Sequence, residues 1–360
     1  MERNTKITVT VSNDLVTDQR MARICKSLVD MGYEVDLVGR KLHKSLPLGI
    51  SNFKQSRLQL FFTSGPLFYL ELNIRLFIYL LRTKPSIIYV VDADTALAGL
   101  LAKKTVGVKL IYDAHELFSE VPELHGRTII KGIWKWIEKR IILQSDLRIT
   151  VTESIAHYYS SLYGVSFNVI RNFSNPRLQV INKSKDKYIL YQGALNKGRG
   201  LEELIEASRS VDIKIKIAGD GDLTQHLKNI AFSNTNIEFI GKLIPSELEK
   251  ITANAWLGYN LLENISLSYY YSLSNKTFDY MHAGIPQLMS DLPEYVNLNS
   301  KWKCGVVTSL NAKSIISTIA DLLNQPDLYA SLCNHALMAS KVMVWEEEAK
   351  KLEQLMKQLR

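Results

Sequence analysis

Short runs of β-branched and other apolar residues alternate with helical stretches along almost the whole chain, and this alternation dictates the fold class. Ile7, Val9 and Val11 recur at every second position, as in a strand. The loop SNDLVTD leads from them into a helix with Met21, Ile24, Cys25 and Leu28 on one face, and Gly32 ends that helix. Strand-like runs follow at 34–38, 87–91, 110–112, 147–151 and 169–170, with helical segments between them. Strand, helix, strand repetition implies a parallel sheet, because each crossover returns the chain to the same edge. A Pro-containing polar stretch, residues 171–187, interrupts the pattern, which restarts at 188–191, 213–217, 237–240, 256–261 and 287–289. The expected fold is α/β, with two Rossmann-like, doubly wound parallel-sheet domains over 1–172 and 173–342. Such domains bind ligands at the C-terminal edges of their strands, so a cleft between them is expected to hold the active site. The helical stripe of 343–360, with Trp345, Leu352, Leu355, Met356 and Leu359 on one face, is expected to pack back toward the first domain.

Composition narrows the classes. A chain of 360 residues with 46% apolar and 22% charged residues fits neither a disordered protein nor a polytopic membrane protein. Lys and Arg exceed Asp and Glu by 8, unevenly: residues 1–170 hold 22 cationic against 16 acidic side chains, the remainder 22 against 20. That surplus suits an anionic partner without choosing among nucleotide, phospholipid and nucleic acid. Cys25, Cys304 and Cys333 are too few and too scattered for a disulfide framework, and MERNTKITVTV has no apolar signal core, so a cytoplasmic location is expected. The most lipid-like stretch, 67–81, is broken by Glu71, Asn73 and Arg75, and no membrane span is expected.

The segment SLSNKTFDYMHAGIPQLMSDLPE, residues 272–294, carries the chemistry. A polar turn containing Ser274 opens a short helix through Asn275, Lys276, Thr277 and Asp279 that ends at Gly284. Amides at a helix start form an anion site, so a diphosphate fits there. Lys276 adds a positive charge, and Asp279, one turn in, reaches the distance of a ribose hydroxyl. Read alone, the same residues suit a solvated helix face.

The sequence resembles a GT-B glycosyltransferase of glycosyltransferase family 4. SNKTFDYMHAGIP is similar to that family's donor-binding helix, and YQGALNKGRGLEELIEA (191–207), KIKIAGDGDL (214–223) and IEFIGKLIPSELEKI (237–251) match in order and spacing. The resemblance spans essentially the whole chain and is weakest over 40–85. It implies that Arg199 and Lys276 neutralise the donor diphosphate, that the amides at Ser274, Asn275 and Thr277 bind it, that Asp279 holds the ribose, and that main-chain groups at Gly241 read the base. Two departures stand out: Ala194 replaces a frequent second Arg, and Tyr271 replaces a Glu eight residues before the ribose carboxylate. Carbonyl or amide groups, or Glu263, must then serve that task. Gly219-Asp220-Gly221 mimics a dinucleotide motif, but Thr224 stands where a third Gly is needed, which favours a tight turn set by helix-to-strand packing. In the first domain the resemblance makes His115 a contact to the transferred sugar. Asn13, Asp14, Asp113 and Glu116 are acceptor-side candidates. Asp92-Ala93-Asp94 looks like a metal motif, but Asp94 opens a helical run and is read as an N-cap, so no metal is expected.

TIIKGIWKWIEKRIIL, residues 128–143, has the composition of an interfacial membrane helix and equally of an amphipathic helix lying on the sheet. What the resemblance implies is a metal-independent retaining enzyme that moves a hexose or hexosamine from a nucleoside diphosphate sugar, UDP ahead of GDP, to a glycan or lipid-linked acceptor in cell-surface polysaccharide assembly. No cofactor and no nucleic acid is expected. An anionic membrane surface at the inner face of the cell membrane is a further expected partner. A nucleotide-sugar epimerase and a non-catalytic partner subunit of the same fold are the alternatives.

Overall fold

The alternation is realised as two parallel sheets. A computed structural model describes residues 5–16, 18–43, 45–174 and 187–359, so most of the polar stretch 171–187 lies outside the described residues. The first sheet has β1 (Lys6–Thr10), β2 (Glu34–Lys41), β3 (Lys54–Gln59), β4 (Ile87–Val91), β5 (Lys109–Ala114), β6 (Leu147–Thr150) and β7 (Asn168–Val169) in the order β3-β2-β1-β4-β5-β6-β7. The second has β8 (Tyr188–Gln192), β9 (Lys214–Ala218), β10 (Ile237–Gly241), β11 (Leu257–Asn260), β12 (Gln287–Ser290) and β13 (Gly305–Thr308) in the order β10-β9-β8-β11-β12-β13. Every pairing is parallel. The chain divides into two compact units, Met1–Asn172 with Glu348–Arg360, and Phe173–Glu347.

Central strands are buried on both faces because helices cover both. In β1, Ile7 and Val9 are fully buried, and so are Thr8 and Thr10 between them. Thr10 Oγ1 satisfies its buried hydroxyl on Thr95 Oγ1, 3.1 Å away. In β8, Ile189 and Tyr191 join one core with Ile215, Ile217, Leu257 and Tyr259. Tyr188 and Leu190 point into another with Ala218, Tyr280 and Ile285. Each large apolar side chain removed from water in this way contributes roughly 1.5–3 kcal/mol.

Two strands were not foreseen. β3, KQSRLQ, is an edge strand of almost wholly polar residues, and β13, GVVT, is a four-residue edge; neither shows the buried-strand pattern. The first helix, Gln19–Asp30, has the expected buried face, is capped by Asp18, whose carboxylate accepts from the Met21 amide, and is stopped by Gly32 at φ +88°. The last helix, Trp345–Leu359, runs from the second unit into the first. There Glu348 accepts from the Arg171 amide at 2.7 Å, and Lys109 donates to the Leu359 carbonyl.

Both sheets reverse their winding beside their first strand, between β1 and β4 and between β8 and β11. Ligand sites of such sheets lie at this reversal, at the C-terminal edge of the strands. The chemistry of each unit gathers there.

Candidate functional site

In the second unit the loop after β8 carries Arg199 in a turn whose flanking glycines, Gly198 at φ +82° and Gly200 at φ +62°, adopt a backbone that side chains resist. A Cβ on Gly198 would also lie 2.6 Å from Ile265 Cδ1 and 2.9 Å from the Tyr269 ring. This turn lays the Arg199 guanidinium over Tyr269, 4.8 Å from the ring centroid. Its Nε is buried without a hydrogen-bond partner among the described residues.

The helix Asn275–His282 supplies the second cation. Tyr280 donates to the Leu190 carbonyl at 2.8 Å and pins the helix onto β8. Lys276 is 7% exposed, and its Nζ stands 4.3 Å from the centroid of the Tyr191 ring. Burial, and then the neighbouring Arg199, hold its pKa well below the ordinary lysine value. No carboxylate reaches either cation among the described residues. Two positive groups therefore share one site at a helix N-terminus with nothing of the protein's own to neutralise them.

The rest of the helix start is held rigid. Ser274 donates its hydroxyl to Asn260 Oδ1 at 2.7 Å and its amide to Tyr295 Oη at 3.1 Å. Asn260 Nδ2 donates to Thr277 Oγ1 at 2.8 Å and to Gln287 Oε1 at 3.0 Å, while Gln287 Nε2 donates to the Thr277 carbonyl. The Ser274 and Thr277 hydroxyls are thus committed to a buried network, and Thr277 is fully buried. Asp279 is only half-buried; its Oδ2 accepts from Gln192 Nε2 at 2.8 Å and its Oδ1 from Ser174 Oγ at 3.3 Å. Gln192 in turn accepts from Thr252 Oγ1 at 2.7 Å, which fixes which end of its amide faces Asp279.

The first unit gathers a different set. Arg20, 4% exposed, donates through Nη2 to both oxygens of Asp113 at 3.0 and 3.1 Å and through Nη1 to the Ile170 carbonyl at 2.9 Å. Tyr89 donates to the same carboxylate at 2.8 Å. Burial alone would raise the Asp113 pKa; Arg20 and His115 overcome it and hold the carboxyl well below the usual range. His115 Nε2 lies 3.0 Å from Arg20 Nε and 3.1 Å from Asp113 Oδ2. One nitrogen cannot serve both at once: the neutral ring accepts from Arg20, and the imidazolium donates to Asp113. Burial opposes that charge, but Asp113 and Asp92 outweigh it, so the His115 pKa is raised. Asp92 has φ +54°, an unusual conformation for a residue with a side chain, and its Oδ1 accepts from the His115 amide at 2.8 Å. Burial pushes Asp92 up to about 7 and Asp94 up to about 6.

Two family descriptions match the sequence in tandem, Glycosyltransferase Family 4 over residues 18–177 and Glycosyl transferases group 1 over residues 175–337. The chain belongs to the group 1 glycosyltransferases of family 4. Solved structures with the same fold include a sucrose-phosphate synthase from Thermosynechococcus elongatus, at TM-score 0.82 and 16% identity with 99% of each chain covered. HepE from Anabaena in complex with UDP and glucose gives 0.75 at 13% identity, covering 98% of this chain and 100% of its own. WaaG, a glycosyltransferase involved in lipopolysaccharide biosynthesis, gives 0.75 at 12% identity, covering 97% and 99%. These likenesses establish the GT-B fold. No curated protein sequence matches the chain.

In this glycosyltransferase Arg199 lies beside Lys276 at the helix start, while the Ser274 and Thr277 amides, expected to face a diphosphate, are spent on Tyr295 Oη and the Ser274 carbonyl, and Gly241 stands at the end of β10 with φ +80°. Its carbonyl accepts from the Gly219 amide at 2.8 Å. Gly219 is required for a reason other than helix-to-strand packing: a Cβ there would lie 1.8 Å from the Gly193 carbonyl oxygen, so two loops approach each other. Asp220 is turned back onto the Gly221 amide and the Thr224 hydroxyl. Tyr271 meets Tyr270 edge-on, centroids 5.0 Å apart. Asp113 is completely buried, so its part is to hold Arg20 and His115. Asp14 is paired with Arg57 at 2.5 Å and Asn13 donates to Asp18 at 2.9 Å, while Glu116 is half-buried beside His115. The N-cap reading of Asp94 fails: Thr95 holds the N-cap position of the helix Ala96–Val106, without a side-chain cap bond, and Asp94 sits buried in the short turn before it, bonded to Ser12. Sequence reasoning missed Arg20, Asp92, Gln192 and Asn260 as partners of the named residues. A buried-strand Gln and Asn at the ends of β8 and β11, where apolar residues are the rule, were the available signal.

The helix Thr128–Gln144 divides along its length. Ile137, Ile141 and Ile142 are buried, whereas Ile129, Ile133 and Trp136 are 80%, 54% and 54% exposed. Lys131 and Lys135 both pair with Glu120. Among the described residues no helix is long and apolar enough to cross a membrane, and no three His, Cys, Asp or Glu side chains group as metal ligands.

Proposed function

We propose that this glycosyltransferase transfers a hexose or hexosamine, with retention, from a nucleoside diphosphate sugar, UDP ahead of GDP, to a glycan or lipid-linked acceptor in cell-surface polysaccharide assembly. One observation carries the reading: the buried Lys276 at the start of the helix Asn275–His282 and the half-buried Arg199 beside it, neither paired with a carboxylate among the described residues. Two cations and a helix N-terminus without an anion of the protein's own are stabilised by a ligand that brings the charge, and a diphosphate matches it. Asp279, held by Gln192 and Ser174 yet half-exposed, is oriented to accept from a ribose hydroxyl. The UDP bound to HepE and the lipopolysaccharide pathway of WaaG support the donor and pathway class.

As the glycosidic bond loosens, charge grows on the leaving diphosphate, and Arg199 and Lys276 stabilise it. The acceptor hydroxyl attacks on the face the diphosphate is leaving. A departing phosphate oxygen takes the acceptor proton, so stabilising the leaving charge is the principal catalytic task. His115, whose protonation is tuned by Asp113 and Asp92, is assigned to the transferred sugar. With two side-chain cations neutralising the diphosphate, transfer is proposed to be metal-independent and to survive EDTA; loss of activity restored by Mg²⁺ or Mn²⁺ would overturn that part.

The enzyme is further proposed to be cytoplasmic and to sit on the inner face of the cell membrane through the exposed Ile129, Ile133 and Trp136 and the exposed cations Lys139 and Arg140. A thermal-shift screen across UDP, GDP, ADP and dTDP sugars, followed by product analysis, tests the whole reading. Sugar transferred with retained configuration is expected; a free epimer of the donor, or binding without product, would refute it in favour of an epimerase or a binding subunit.

A further inference from the structure

We infer that Glu263, on the loop leaving β11, binds hydroxyl groups of the donor's sugar and so sets which diphosphate sugar is accepted; the inference rests on the donor-site reading above. Backbone geometry fixes its place. The Glu263 amide donates to the Gly198 carbonyl at 3.0 Å, which sets this residue beside the turn that carries Arg199.

Its carboxylate is partly exposed and has no hydrogen-bond or ion-pair partner among the described residues. Its electrostatic neighbours are mainly of its own sign. Burial, then Glu203 and Glu202, raise its pKa against the weaker pull of Lys197. Glu203 Oε2 is itself buried with no partner. An ionised carboxylate only accepts hydrogen bonds; Glu202 has His226 at 3.7 Å, but Glu263 and Glu203 Oε2 have no donor among the described residues.

The complementary deficit stands alongside. Arg199 Nε is buried without an acceptor, and the more than nine-tenths buried Lys276 has no ion pair among the described residues. The two sets do not satisfy each other, since neither cation forms an ion pair with Glu202, Glu203 or Glu263 among the described residues. A ligand that relieves both must carry anionic oxygens and hydroxyl groups on one molecule. A nucleoside diphosphate sugar does: its phosphates accept from the cations and its sugar hydroxyls donate to the carboxylates. A nucleoside diphosphate alone would leave the acids as they are.

Calorimetric titration of the intact protein and of Glu263→Gln with UDP, UDP-glucose, GDP and GDP-mannose tests this. A hydrogen bond to a charged acceptor supports a loss of about tenfold or more, so Glu263→Gln is expected to weaken the sugar nucleotide by that factor and leave the matching diphosphate within about twofold. Glu263→Asp, which keeps the charge but withdraws it by one methylene, should show the same selective loss. Because the native carboxylate is unpaired and surrounded by like charge, the midpoint of thermal unfolding in Glu263→Gln should stay level or rise. Equal effects on nucleotide and sugar nucleotide, or no effect on either, would overturn the inference while leaving the donor site intact. So would a lowered midpoint, which would make Glu263 a structural residue. Failure of the unmodified protein to bind any of the four probes would overturn the donor-site reading, and this inference with it.

Discussion

Replacing Lys276 by methionine should stabilise the protein and disable it, two effects of opposite sign from one change. Lys276 is 7% exposed, with an aromatic ring below its ammonium and Arg199 beside it, and no carboxylate among the described residues to compensate. A buried polar group without a partner carries a penalty of roughly 1–3 kcal/mol in proteins. Methionine removes the penalty and keeps an unbranched side chain against the Tyr191 ring, a contact sulfur tolerates well. In a unit of this size each kcal/mol moves the unfolding midpoint by about 2–4 °C, so a rise of several degrees is expected. Loss of a group that stabilises the leaving charge should lower kcat by about 10²–10³. The pH dependence has a definite sign. The native pKa lies below the ordinary lysine value of 10.5, so between the two the unfolded chain binds a proton that the native state has released. Stability due to this group therefore rises with pH across that window, and only in the unmodified protein. Calorimetry at several pH values up to about 10.5, with initial rates of transfer, measures all three effects. A methionine variant that melts lower and still turns over normally would make Lys276 a packing residue and refute the argument.

Arg199→Ala should lower kcat by about 10² with a smaller effect on nucleoside diphosphate binding, and the Arg199, Lys276 double variant should be non-additive because both cations act on one diphosphate; near-normal turnover in Arg199→Ala would place the phosphates elsewhere. His115→Ala should fold, as judged by its melting curve, and lose transfer by about 10²-fold, whereas unchanged turnover would reduce it to a loop residue. Asp113→Asn should destabilise the first unit by about 3–5 kcal/mol, because it strands the buried Arg20. Since the native carboxyl titrates below its ordinary value of 3.8, its stabilising effect is complete above that pH and is lost as pH falls through the native pKa, so urea titrations from pH 5 to 2 should show an acid-labile component absent from the variant. Co-sedimentation with anionic but not neutral vesicles, falling with salt and with Ile133→Ser or Trp136→Ser, is expected of the helix Thr128–Gln144; no binding to either vesicle type would leave it a sheet-packing helix.

Periodicity made most of the fold legible. Buried parallel strands such as Ile87–Val91 and Tyr188–Gln192 announce themselves because both faces are covered, so apolar residues run consecutively. The edges did not, since Lys54–Gln59 needs no apolar face and is held by its ladder with β2. The opening of the helix at Asn275 was legible from turn chemistry, and with it the position of Lys276 and Asp279.

Residue types and loop positions at the candidate site belong to the sequence; which of those residues are spent on one another belongs to the tertiary structure. Arg20 reaches Asp113 and His115 across 93 and 95 residues, and Gln192 reaches Asp279 across 87. Thr277 and Asp113 are polar residues of the same kind as their neighbours, yet the fold commits them to buried partners. Lys276 and Arg199 meet because β8 and β11 are adjacent in the sheet and their loops converge, and among the described residues no partner of opposite charge joins them. Hydrogen-bond satisfaction and desolvation depend on distances between segments remote along the chain, so only the closed fold could decide which polar groups remain for a ligand.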